Sequence, residues 1–280
     1  MLKKRIISAV LLIPLLFLFV WFDQPLPWLT IFVAVWGCLA ALEFYHIVAA
    51  AKAPPIIPIG IIWTLLFIIG PHIIDKIGDR FLFVSMLGDP LLIGSLVIVS
   101  LAWLVLRRQR KGAFTSWVWT IAGVLYIGLL LSHMVALRGL YMGREWVLFT
   151  LFVTFASDSA AFFIGSAWGR RKLAPSISPR KTWEGAIGGA VVAMLLGPLL
   201  VWLFDLPIGY GEAIMLSLAV SVFGQLGDLI ESLFKRKMKV KDSGSTIPGH
   251  GGFLDRMDSV VFASIVVYYY VTWCVGWFVQ

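Results

Sequence analysis

The sequence predicts an all-α polytopic integral membrane protein of about nine transmembrane helices, with a cytoplasmic N-terminus and an external C-terminus. Three observations carry that expectation. Apolar residues make up 60% of the chain and charged residues 14%, against roughly 45–50% and 25% in an average soluble domain. Mean hydropathy is +0.93, and apolar runs of about 17 residues or more recur from end to end, more than a soluble core could absorb. Lysine and arginine also fall almost entirely on alternate loops.

Taken in order, the first span covers about residues 6–22, after Lys3-Lys4-Arg5. It has the outline of a signal peptide, but no small-x-small cleavage site precedes Asp23-Gln24-Pro25, so a retained span is expected. The second and third spans cover 27–50 and 56–74. The fourth, 81–106, contains Gly88-Asp89-Pro90, which predicts a break or a later start. The fifth covers 113–137 and follows the basic loop Arg107–Lys111. The sixth, 146–168, carries Asp158. The seventh, 186–204, begins at Gly185, Gly188 and Gly189, small residues that permit close helix contact. The eighth, 212–234, carries Asp228, and the ninth, 254–278, opens on Asp255 and Asp258. Residues 1–145 form an N-terminal set of five spans, and 146–280 a polar-rich set of four with two basic loops. A single integrated membrane domain is expected.

Charge supports this count. With the N-terminus inside, 19 of the 23 Lys and Arg residues lie in cytoplasmic loops, leaving outside only Lys76, Arg80, Arg138 and Arg144. That is the asymmetry the positive-inside rule demands. Dropping one span would put the two largest basic loops on opposite sides. The net charge of +8 therefore reflects topology and anionic lipid, and no nucleic-acid partner is expected. Cys38 and Cys274 lie inside spans far apart in sequence, so neither a disulfide nor a thiolate metal site is implied.

The densest chemistry runs from Ser232 to Asp258. Five cations lie between Lys235 and Lys241, followed by His250-Gly251-Gly252 and by Asp255 and Asp258. Acids within spans cost about 2.5–3.5 kcal/mol each at mid-bilayer, so they are rare without partners. Asp255 and Asp258 are spaced to share one helical face, as are Asp228 and Glu231 on the preceding span. Facing acids repel unless a cation lies between them. A divalent ion arriving with a nucleotide meets that need, since Mg²⁺ takes one or two carboxylates together with phosphate oxygens. Gly251 and Gly252 lead into a helix whose free N–H groups suit an anion. A second loop, Gly169–Gly185, interleaves cations with hydroxyls, and Ser178-Pro179-Arg180-Lys181-Thr182 suits a polyphosphate. Arg107–Lys111 lacks that mixture and reads as topology alone. Glu43, near the cytoplasmic end of the second span, is read as structural, and His46, His72 and His133 receive no role.

Ser232, Lys235-Arg236, Lys241-Asp242, His250-Gly251-Gly252 and Asp255-Arg256-Met257-Asp258 stand in the register of one signature. The segment resembles the phosphatidate cytidylyltransferases, the CDP-diacylglycerol synthases. Ile177–Gly185 and the acid at Asp158 resemble upstream segments of that family, and the likeness covers about residues 150–260. The sequence departs from the family in Ser159, where the pattern has Thr, and in Phe162, where it has Tyr, which removes any contact through a phenolic hydroxyl.

The resemblance implies an enzyme joining CTP and phosphatidic acid into CDP-diacylglycerol and pyrophosphate. It implies a catalytic set of Asp228, Lys235, Asp255 and Asp258, with the three aspartates holding Mg²⁺ and a possible second cation. Lys235, Arg236 and Lys241 would hold phosphates, His250, Gly251 and Gly252 would shape the phosphate-binding turn, and Asp158, Ser178, Arg180, Lys181 and Thr182 would complete the nucleotide side. Asp242 and Arg256 join the substrate-binding set. The resemblance further suggests a homodimer. The compact chain, with no long polar N-terminal extension, favours a bacterial plasma membrane with the site on the cytoplasmic side. A cytidylyltransferase for another lipid phosphate is the nearest alternative. A secondary transporter or a lipid scaffold fits worse, because polar residues crowd one side instead of the midplane. Neither the motif of a CDP-alcohol phosphotransferase nor a Walker A loop is present; Gly165–Gly169 is the small-residue spacing of packed helices.

Overall fold

A computed structural model of the chain describes residues 14–22, 26–50, 54–77, 82–106, 112–244, 246 and 251–275. The fold is almost wholly helical. After α1, over residues 14–21, come α2 (Trp28–Ala50), α3 (Ile57–Ile77), α4 (Leu82–Leu106), α5 (Ala113–Gly123) and α6 (Leu130–Gly139). Then follow α7 (Gly143–Trp168), strands β1 (Lys172–Ala174) and β2 (Ser178–Thr182), α8 (Trp183–Phe204), α9 (Tyr210–Lys237) and α10 (Asp258–Tyr270). The wide π-turn Val124–Leu129 joins α5 to α6 into one rod.

Among the described residues, six helices are long and apolar enough to cross a membrane: Trp28–Ala50, Ala113–Gly139, Gly143–Trp168, Trp183–Phe204, Tyr210–Lys237 and Asp258–Val275. Ile57–Ile73 and Pro90–Leu106 are shorter apolar helices. The expected first span lies partly outside the described residues. Large apolar side chains such as Phe162, Phe163, Leu195 and Trp202 are each more than 60% exposed. A water-soluble surface would not carry that many, and lipid accounts for them. The chain is an integral membrane protein.

Three local expectations need correction. The helix does not break at Gly88-Asp89-Pro90, since α4 runs through Pro90; neighbouring groups can re-satisfy the carbonyl that proline leaves free in a membrane helix. The basic loop after α7, expected only as a connection in an all-α fold, contains an antiparallel β-hairpin pairing Lys172 with Thr182 and Ala174 with Ser178. Pro175-Ser176 sit in its turn, which Ile177 N closes on Ala174 O at 3.2 Å. The ninth span starts later than expected: Leu254–Arg256 form a 3₁₀ turn and α10 begins at Asp258. Asp255 and Asp258 therefore do not share one helix face. The Asp255 carboxylate draws backbone N–H groups into a local turn, a familiar competitor of helix for aspartate.

The chain divides into two compact units. One comprises residues 1–139 with 242–255, the other 140–241 with 256–280. In the first, α2 packs its small face of Ala40 and Ala41 and its large residues Phe44, Tyr45 and Val48 inward. The Tyr45 hydroxyl donates to Thr120 O at 3.1 Å, and Ile56 N donates to the Thr120 hydroxyl at 2.8 Å, tying α2 and the residue just ahead of α3 to α5. In the second unit, α8 lies close against α7. A Cβ added to Gly185 would stand 2.6 Å from Ala161 O, and one added to Gly189 2.7 Å from Ser157 O. These are the small residues singled out in the sequence, spaced one helical turn apart on one face.

Candidate active site

Helices α7, α9 and α10 of the second unit each contribute acids to one neighbourhood. Asp158, midway along α7, is within hydrogen-bonding reach of Ser259 on α10 and close enough to Asp228 and Lys181 for direct electrostatic interaction. Asp258, the first residue of α10, faces Asp228 and Glu231 and is within hydrogen-bonding reach of the latter. Its own Oδ1 accepts from Ser259 N at 2.8 Å, so the carboxyl is held at the helix start. Asp228 accepts from the Ser232 hydroxyl one turn further along α9, at 3.3 Å. Glu231 is completely buried. Carboxylates this close to one another cannot all stay ionised without positive charge among them.

Two lysines supply part of it. Lys181 Nζ reaches Asp228 Oδ2 at 2.7 Å, and Lys235 Nζ reaches Glu231 Oε1 at 3.0 Å. The strand explains how a loop lysine reaches an acid on α9. Successive side chains of β2 point to opposite faces, so Lys181 turns to the acids while Thr182 turns away. Thr182 is buried, and its hydroxyl accepts from Gly185 N at 3.2 Å as the N-cap of α8. Glu184 in the first turn of α8 accepts from Arg170 N and Arg171 N, each at 3.1 Å, and fastens the start of the hairpin. Arg236 Nε donates to Ile177 O at 3.2 Å, tying the hairpin turn to the end of α9. Arg180 stays exposed on β2, as does Lys241 past α9.

The signature loop, residues 242–255, belongs to the first unit. Gly251 takes φ +84, a left-handed value that glycine adopts without strain. Asp255 Oδ2 accepts from Ser243 N at 2.9 Å and Gly252 N at 2.8 Å. His250 lies outside the described residues.

Of the expected site residues, the structure thus brings together Asp158, Lys181, Asp228, Lys235 and Asp258 within one unit. Thr182 and Arg236 are engaged in holding the hairpin, Ser178 lies in β2, Asp242 and Arg256 are exposed, and Asp255 holds the loop. Glu231 and Ser259 belong to the same neighbourhood but were not in the expected set. Glu231 carried a signal, its i,i+3 spacing from Asp228; Ser259 carried none.

The Cytidylyltransferase family matches residues 3–274. The chain belongs to that family. Phosphatidate cytidylyltransferase of Bacillus subtilis (strain 168) is 33% identical over 270 residues, covering 95% of this chain and 96% of the relative. The enzymes of the same name from Brucella suis and Staphylococcus haemolyticus are 42% identical over 182 residues and 37% identical over 164. They cover 65% and 59% of this chain.

The donors present decide whether a divalent ion would fit here. Asp228 and Asp258 on adjacent helices supply hard oxygen donors, which suit Mg²⁺ completed by phosphate and water. Among the described residues no three His, Cys, Asp or Glu side chains form a complete ligand group. Mg²⁺ does not need one, because it is normally held by one or two carboxylates plus substrate. The residues fit the ion.

Proposed function

We propose that this protein is a phosphatidate cytidylyltransferase, transferring CMP from CTP to phosphatidic acid to give CDP-diacylglycerol and pyrophosphate. A lipid-phosphate oxygen forms the new bond to the α-phosphorus of CTP, and the bond to the β,γ-pyrophosphate breaks. No general base is required, because a phosphate monoester is already ionised near neutral pH. The observation that carries the reading is the convergence of Asp158, Asp228, Glu231 and Asp258 with Lys181 and Lys235 inside one unit of a membrane-embedded chain. A relative that acts on phosphatidate matches that chain almost end to end.

Asp228 and Asp258 would hold Mg²⁺, which when bound supplies charge neutralisation for the polyphosphate. A second cation would sit nearby. Lys181 and Lys235 orient CTP phosphates and offset charge growing on the leaving pyrophosphate; fixed cations at such positions act without reorganising during the reaction. Arg180 and Lys241, both exposed, meet the incoming phosphates, and Ser178, Arg236, Asp242, His250 and Arg256 are the further substrate-binding residues that the sequence assigns. Thr182 fixes the strand that aims Lys181. Asp255, the third expected ligand, serves in this reading to shape the loop with Gly251 and Gly252. The reading also includes nine spans with the N-terminus inside and C-terminus outside, a bacterial inner membrane, a site on its cytoplasmic side and a homodimer.

The deciding experiment is Asp258→Asn in purified, detergent-extracted protein, assayed by transfer of radiolabel from CTP into lipid. Turnover should fall at least roughly a hundredfold while size-exclusion profile and thermal unfolding stay close to the unaltered protein. Near-normal synthesis would rule out the metal assignment. Label entering a different lipid phosphate faster than phosphatidic acid would move the substrate assignment.

A further inference from the structure

Glu43 lies on α2, far in sequence from any motif, and is buried. A carboxylate inside an apolar helix is costly unless its oxygens are well supplied with donors. Here three donors are supplied, all from the signature loop. The Ser243 hydroxyl donates to Oε2 at 2.9 Å, Leu254 N to Oε2 at 3.1 Å, and the Thr246 hydroxyl to Oε1 at 2.8 Å. Loop backbone closes over the carboxylate from both ends. A Cβ added to Gly244 would stand 2.7 Å from Oε1, and one added to Gly252 would collide with Oε2 and with the Ser243 hydroxyl.

Two further contacts make this one assembly. Trp36, two helical turns before Glu43 on the same face of α2, donates its indole N–H to Phe253 O at 3.0 Å. Ser243 serves both anions: its hydroxyl goes to Glu43 and its N–H to Asp255, while Gly252 gives its N–H to Asp255 and its open Cα side to Glu43. The loop is thus wound between two carboxylates. Donors to an ionised acceptor make shorter and stronger bonds than neutral pairs, and a carboxylate accepts at both oxygens with no donor of its own to misplace. An amide in its place would turn N–H groups toward N–H and O–H donors.

We infer that Glu43 is a positioning residue for the cytidylyl transfer: it fixes the conformation of residues 242–244 and 251–255, the loop to which the sequence assigns the CTP phosphates. The inference rests on the proposal that this loop binds CTP phosphates. Glu43 touches no substrate in this scheme and acts only through the loop.

The test uses the full chain reconstituted in lipid nanodiscs, with Glu43→Gln measured by two readouts. Backbone amide exchange at Ser243 and Leu254 should speed up at least about tenfold, the loss expected for one hydrogen bond to a charged group. KM for CTP should rise by at least a similar factor, with a smaller change in kcat and in KM for phosphatidic acid. Should Glu43→Gln not accumulate folded, Ser243→Ala and Thr246→Val each remove one donor, keep the acid, and should move both readouts the same way by smaller factors. In the double variant Glu43→Gln/Ser243→Ala, the added effect of the second change should be small, because its partner is already lost. Unchanged exchange overturns the inference outright. Faster exchange with an unaltered KM for CTP overturns the positioning role as well, and locates the failure in the loop's assignment to the nucleotide. A general loss of activity in proportion to folded protein, with no change in KM, is what a purely structural acid would give.

Discussion

Gly227 offers the sharpest test of the packing that sets the acids side by side. It precedes Asp228 on α9 and faces the start of α10, where a Cβ would collide with Asp258 O and stand 2.6 Å from Phe262 Cδ2. Ordinary contact begins at 3.4 Å, so the second clash alone demands a movement of about 0.8 Å. The carbonyl is backbone and cannot turn aside, so α9 and α10 must separate or rotate. Overpacking of this kind costs about 1–3 kcal/mol. The displacement falls between Asp228 and Asp258, and a 1 Å misplacement of reacting groups can cost about 10²-fold in rate. Gly227→Ala should therefore lower CDP-diacylglycerol synthesis by roughly one to two orders of magnitude, with a modest fall in thermal stability. Gly211→Ala is the control, since nothing lies within 4 Å of a Cβ there and the residue sits in the first turn of the same helix. That variant should match the unaltered protein or gain slightly in stability. Both are measured in detergent by label transfer and by thermal unfolding. Equal activity in the two variants would refute the claim that this helix contact positions the acids.

The remaining predictions concern charge. Lys181→Met removes the cation that pairs with Asp228 at 2.7 Å. Because both side chains are partly exposed, unfolding should shift by no more than about 1 kcal/mol, while kcat/KM for CTP should fall at least about tenfold; a large stability loss with unchanged kcat/KM would make the pair structural. Stripping divalent ions with EDTA should abolish turnover and added Mg²⁺ should restore it, and activity surviving exhaustive chelation would remove the ion from the reading.

Much of the fold was legible because a membrane span announces itself by length and apolarity alone. α2, α7, α8 and α9 fall within a few residues of where the apolar runs put them. What failed was local. Strand pairing in Lys172–Thr182 depends on register between residues of mixed character, and no alternation long enough to read precedes it. The late start of α10 depends on where Asp255 finds its donors, and these are twelve residues upstream, at Ser243 N, as well as next door at Gly252 N. Within the site, Asp158, Asp228 and Asp258 could be found because acids are conspicuous among apolar neighbours. Thr182 could not be told from a ligand: a hydroxyl before a helix is equally good as a phosphate donor and as an N-cap, and only the 3.2 Å bond from Gly185 N identifies the latter. Glu43 was conspicuous as an acid but read only as structural, since all three of its donors lie some 200 residues away in the chain.

The charge balance of this acidic neighbourhood explains why two different elements each supply a lysine to it. Asp158, Asp228, Glu231 and Asp258 outnumber Lys181 and Lys235 by two. Lys235 lies on α9, one turn from Glu231, and stays with it through any movement of the hairpin. Lys181 is different: it comes from β2, and its bond to Asp228 crosses from one element to another. A cation fixed permanently on Asp228 would compete with any metal there, whereas one carried on a strand can be given up to a phosphate when a divalent ion takes over the carboxylate. In the proposed reading the charge of Asp228 is then offset in both conditions, by Lys181 before the nucleotide arrives and by the ion afterwards. A site of fixed cations only would hold the nucleotide but offer the ion no donors, and a site of acids only would repel the nucleotide.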